Sequence, residues 1–120
     1  MSIYTDIASI KIIAEVVTSQ NLKKTLSNVV EHLHEKVQYF DWVGLYLKQG
    51  DELVLEASSD LEENLNWETN AELRIPLIDQ HQKDLGKIVV RSKQPICFDI
   101  TDVSTLETLA KEIGNRLTIN

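Results

Sequence analysis

Residues 42–57 read Trp42-Val43-Gly44-Leu45-Tyr46-Leu47, then Lys48-Gln49-Gly50-Asp51, then Glu52-Leu53-Val54-Leu55-Glu56-Ala57. The first run is apolar on both faces, the pattern of a central strand. The next four residues supply a tight turn in which Gly50 can take a positive φ. The last run is polar on one face and reads as the partner strand of a hairpin.

Toward the C-terminus the rhythm breaks over residues 59–70, where Asp60, Glu62, Glu63 and Glu68 are acidic and Leu61, Leu65 and Trp67 are the apolar members. This stretch reads as a loop, with room for one helical turn or a short edge strand. Alternation returns at Leu73-Arg74-Ile75-Pro76-Leu77-Ile78, where Pro76 assigns the strand's second half to an edge or an end. A polar turn over 79–84 leads to the strand Leu85–Arg91, and Lys93-Gln94-Pro95 breaks the chain again. Phe98 and Ile100 are expected to anchor the approach to a last helix with the stripe Leu106, Leu109, Ala110, Ile113 and Leu117. Thr101, Asp102 or Ser104 would cap it, and Ser104 with Glu107 has capping-box spacing.

Toward the N-terminus, Leu22, Leu26, Val29, Val30, Leu33 and Val37 repeat at helical spacing behind Asn21, a good N-cap. Before the polar break at Ser19-Gln20, residues 3–18 place Ile3, Ile7, Ile10, Ala14 and Val17 on one face, widened by Ile13 and Val16. So broad a stripe suits contact on two sides. The order helix, helix, hairpin, loop, hairpin, helix predicts an α+β fold. It has an antiparallel sheet of four to five strands with the N- and C-terminal helices on one face, in a single domain spanning 1–120.

The composition narrows function by exclusion. A net charge of −7 with no basic run beyond Lys23-Lys24 argues against nucleic acid and against an anionic membrane. One cysteine, Cys97, allows no intramolecular disulfide and fits a reducing compartment. No basic region followed by an apolar block opens the chain, and no apolar run is long enough to span a bilayer, so a cytoplasmic protein is expected.

Three segments together resemble a GAF domain. Asp41 to Leu47 is similar to the first strand, where free methionine-R-sulfoxide reductases carry a Trp-Val-Gly run. Glu72 to Leu77 with Leu85 to Arg91 is similar to the late hairpin, and Phe98 to Leu117 to the closing segment. The resemblance spans roughly residues 22–118. It implies a sensory or regulatory module with a small-molecule pocket between the sheet and a roof. Here the roof is reduced to Ser59–Asn70. Trp67, Leu65, Tyr46 and Arg74 are the candidates for lining what pocket remains, with Trp67 able to fold onto the sheet in place of a ligand. The resemblance also implies a dimer through the terminal helices, and Ile3, Ile7, Ile10, Ala14 and Val17 are the interface candidates.

No catalytic constellation is legible. The "Val-Cys-Gly" run of the reductases is absent, and Cys97, between Ile96 and Phe98, reads as a small buried apolar residue. His32 and His34 are two apart on a helix and His81 sits in a turn, so no metal site is expected and all three histidines read as solvated. The acidic loop lacks calcium-loop spacing, and the four isolated glycines make no phosphate loop. The expectation is a non-catalytic domain without cofactor that binds a small molecule or a partner protein. The alternatives are a pocketless dimerisation or interaction module and a diverged methionine sulfoxide reductase.

Overall fold

The computed structural model describes residues 21–61 and 66–119. The expected helix over 3–18, and with it the dimer candidates Ile3, Ile7, Ile10, Ala14 and Val17, lies outside the described residues. So does Leu65.

Helix α1 spans Leu22–Lys36. Asn21 caps it: its side chain accepts the Lys24 N–H at 3.1 Å, and its carbonyl accepts the Thr25 N–H and hydroxyl. The first of these contacts satisfies a donor that the first turn leaves free, and the Thr25 N–H bond is the first regular bond of the helix. Leu26, Val29, Val30 and Leu33 are buried on one side. The helix ends at Val37, and His34 Nδ1 lies 2.9 Å from the Phe40 carbonyl oxygen, tying down the turn that follows.

Four strands follow: β1 Trp42–Gln49, β2 Glu52–Ser58, β3 Ala71–Ile78 and β4 Asp84–Ser92. They form one sheet in the order β2-β1-β4-β3 with every pair antiparallel. The strand read as central is central, and Pro76 sits on an edge strand. Gly50 opens the β1–β2 turn at φ 65, which glycine takes at no steric cost. The β1–β2 register shifts between Leu45 and Tyr46, which leaves Glu56 as an extra residue, and the β3–β4 register shifts at Leu77, leaving Leu85 over. Helix α2, Ile100–Ile119, closes the fold.

The core lies between one sheet face and the two helices. Val43, Leu45, Ile75, Leu77, Ile88 and Val90 enter it from the strands, and Leu106, Leu109, Ala110 and Ile113 enter it from α2. Each fully buried aliphatic side chain stabilises by roughly 2 kcal/mol relative to exposure.

The start of α2 departs from the sequence reading. The helix begins before Thr101, and Asp99 caps it by accepting the Asp102 N–H at 2.8 Å. Asp102 answers by accepting the Asp99 N–H at 3.1 Å, so the reciprocal cap is Asp99 with Asp102 rather than Ser104 with Glu107. Asp102 is fully buried and also accepts the Tyr39 hydroxyl on both carboxylate oxygens, at 2.7 and 2.8 Å. Phe40 packs edge to face on Tyr39 and on Phe98 around this link, and Tyr39 and Phe98 meet at a tilt. Phe98 therefore anchors the helix as expected. Ile100 does not: it is 87% exposed.

Candidate functional site

The sheet has a second face, turned away from the helices. Antiparallel register sets its side chains in rows across the strands. One row is Trp42, Arg91 and Glu72. The next is Ser58, Gly44, Val89 and Arg74, and the third is Leu55, Tyr46, Lys87 and Pro76.

Trp42 dominates this face. It is fully buried, although it is not part of the core under the helices. Its indole lies over Gly44: a Cβ there would come within 2.2 Å of the ring. The indole N–H donates to the Asp60 carbonyl at 2.8 Å, which pins the start of the 59–70 loop to the sheet. The Arg91 guanidinium lies over the ring at 4.7 Å. Beside it, Val89 is buried, so the middle of the face is closed.

Cations stack on aromatics along this surface. Besides Arg91 on Trp42, Lys87 lies 5.5 Å from the Tyr46 ring centre and Lys93 lies 5.4 Å from that of Trp67. Contacts of this kind are worth on the order of 0.5–1 kcal/mol when exposed. Glu72 sits between two guanidinium groups. Arg74 Nε donates to one of its oxygens and Arg91 Nε donates to the other at 3.2 Å. Partial burial pushes the Glu72 carboxyl up, but the hydrogen bonds and charges of Arg74 and Arg91 outweigh it and hold it below the usual carboxylate range. The same pairing holds the Arg74 guanidinium above its ordinary value. Lys48 pairs with Asp84 at 3.4 Å at the far end of the face.

Three of the four sequence candidates are described. Tyr46 and Arg74 fall on this face in neighbouring rows, and Trp67 lies half-buried at the edge of the loop beside Lys93. Trp42, Glu72, Lys87 and Arg91 were not singled out by the sequence. The available signal was a tryptophan two residues before a glycine on a central strand, where the ring can settle only if the glycine has no side chain.

The remaining candidates lie elsewhere. Cys97 is half-buried against the core in the connection from β4 to α2. Of the histidines read as solvated, His34 and His81 are exposed, whereas His32 is half-buried with its Nε2 enclosed. Among the described residues no three His, Cys, Asp or Glu side chains converge as metal ligands, and no helix is long and apolar enough to cross a membrane. A cleft of about 490 Å³ opens between β3 and α2 beside Pro76, Gln82, Glu107 and Lys111, on the edge of the sheet rather than on the Trp42 face.

In three dimensions the chain superimposes on the GAF domain of the Acinetobacter phosphoenolpyruvate-protein phosphotransferase. The TM-score is 0.82 at 18% identity, over 93% of this chain and 91% of that one. The fold is that of a GAF domain. The GAF domain of the Coxiella burnetii phosphoenolpyruvate-protein phosphotransferase gives a TM-score of 0.78 at 17% identity, over 98% of this chain and 95% of that one. The free methionine-R-sulfoxide reductase of Neisseria meningitidis gives 0.75 at 22% identity, over 92% of this chain and 86% of that one. At the level of sequence, no family model and no curated protein matches. GAF folds of this kind thus occur both as domains of a phosphotransferase and as a reductase, and identities this low carry the fold alone.

Proposed function

We propose that this chain is a non-catalytic GAF-type sensory or regulatory domain that works by binding, through the outer face of its sheet, a small molecule or a partner protein. The observation that carries this is the Trp42 face. A surface of stacked cations and aromatics, pinned across three strands, is built for recognition. The one cysteine in the chain lies off that face, in the connection before α2, and is packed against the core. Its neighbours along the chain, Ile96 and Phe98, are apolar, as suits a packing role.

Thermal unfolding against a metabolite panel tests the reading: cyclic nucleotides, free amino acids, methionine sulfoxide, tetrapyrroles and 2-oxo acids. A ligand at a hundredfold over its dissociation constant adds about 2.7 kcal/mol and should raise the midpoint by on the order of ten degrees. Turnover of methionine sulfoxide with a thiol reductant, abolished by Cys97→Ser, would overturn the proposal in favour of a reductase.

A further inference from the structure

The strand residues of the outer face are mainly basic although the chain is acidic, and the 59–70 loop beside them adds the carboxylates of Asp60 and Glu68. The protein has a net charge of −7. On the face, Lys48, Arg74, Lys87 and Arg91 stand against Glu72 and Asp84, and Lys93 extends the basic strip past the end of β4. Each of these cations has a partner, Lys48 in Asp84. Arg91 lies on Trp42, Lys87 on Tyr46 and Lys93 on Trp67, while Arg74 is tied to Glu72. Cations held by aromatic rings need give up little side-chain entropy when an anion arrives.

The floor of the same face is closed, because Trp42 and Val89 are both buried. A compound cannot sink between sheet and loop there without displacing the indole. An occupant has to lie across the rows instead, with its carboxylates over the basic strip and its apolar side chains toward Leu55 and the half-exposed Leu53. The carboxylate of Glu72 already shows the mode of contact, since two guanidinium groups close on it from the β3 and β4 sides. Arginine pairs carboxylates in this way more strongly than a point charge does.

From this we infer that the outer sheet face is a docking surface for an acidic, extended segment of a partner protein, with Arg74, Lys87 and Arg91 as its principal contacts. The inference rests on the reading that this face is the working surface, and it names the chemistry of what binds there. Glu72 is then the internal competitor of that segment.

The test is an amide chemical-shift titration of the whole chain with acetylated, amidated hexaglutamate at low salt, repeated with succinate and with one neutral compound of the metabolite panel. Hexaglutamate should move the amides around Tyr46, Arg74, Lys87 and Arg91, and binding should weaken steeply as salt rises. Arg74→Glu with Lys87→Glu should weaken it at least tenfold. Glu72→Gln, which frees both guanidinium groups, should tighten it several-fold, a gain that a merely destabilised variant would not show. Lys23→Glu with Lys24→Glu, on α1, should leave it unchanged. Equal affinity in the Arg74/Lys87 variant, or shifts scattered outside the face, would overturn the inference. Succinate matching the peptide at equal carboxylate concentration would also overturn it, by making the face a small-anion site. A neutral compound that shifts the face where hexaglutamate does not would overturn the inference and leave the proposed function standing. A face unmoved by every probe would sink both.

Discussion

Ile96 stands at φ 52 in the turn after Pro95, and it is 99% exposed. A β-branched side chain in the left-handed region crowds the following carbonyl, at a cost of about 1–2 kcal/mol. It makes no contact that would compensate, because it lies almost wholly in solvent. Asparagine tolerates this conformation through local hydrogen bonding. Ile96→Asn should therefore raise the stability of the domain by about 1 kcal/mol, read as a higher urea midpoint at unchanged slope. A midpoint that stays or falls would show that the turn relaxes around isoleucine at little cost. At Trp42 the opposite holds, because burial, the Asp60 carbonyl and the Arg91 stack all converge on one ring.

At the scale of elements, the sheet uses glycine at a turn and inside a strand for different reasons. Gly50 lies at φ 65 with open space where a Cβ would go. Gly86 lies at φ 149 where β4 passes β1, and a Cβ would come within 2.0 Å of the Tyr46 carbonyl oxygen. Alanine at the first site incurs only the left-handed backbone cost, about 1 kcal/mol. At the second it meets both strain and a rigid backbone atom between central strands, so Gly86→Ala should lose roughly 3 kcal/mol or more. Denaturant unfolding of the two variants side by side checks this. Equal losses would mean that the strands part easily at Tyr46 and that the β1–β4 junction does not hold the outer face in register.

The whole molecule carries an excess of carboxylates, and among the described residues Asp79 and Glu72 are held charged by the fold. In the turn between β3 and β4, Asp79 accepts the Lys83 N–H at 2.9 Å and the His81 N–H at 2.8 Å, and these bonds hold its carboxyl below the ordinary value. Glu72 is depressed by Arg74 and Arg91 despite its partial burial. A carboxyl whose folded pKa is lowered binds its proton more readily in the unfolded chain. Its stabilising contribution is present above the unfolded value, near 4, and is lost as pH falls through the folded one. The unfolding midpoint should therefore hold from neutral pH to about pH 5 and then fall steadily on further acidification. Glu72→Gln should lower the midpoint at pH 7 and shrink the acid-side fall, and the two profiles should approach each other as pH falls through the lowered Glu72 value. Parallel profiles would mean that the Glu72 pairs are screened away in solution, as exposed pairs often are.

Sequence alone determined what depends on near neighbours. The period change at Trp42, the cap at Asn21 and the turn at Gly50 are short-range patterns, and each element they predict is present within a residue or two. The α+β class and the central place of β1 followed from them, because a run apolar on both faces has to be covered on both. The cap of α2 was misread because Asp99 and Asp102 offer the same spacing as Ser104 and Glu107. Only packing chose between them, by burying Asp102 against Tyr39 from 63 residues away. The candidate site is legible in part: the sequence points to Tyr46 and Arg74, and strand alternation puts Glu72 beside Arg74, but nothing local sets them beside Arg91 and Lys87. That adjacency belongs to the register of β1 on β4 and of β4 on β3. A one-residue slip would turn every one of these side chains to the other face. Register is decided by which face the core takes, across strands far apart in the chain, so only the tertiary structure could bring Trp42, Arg91 and Glu72 into one row.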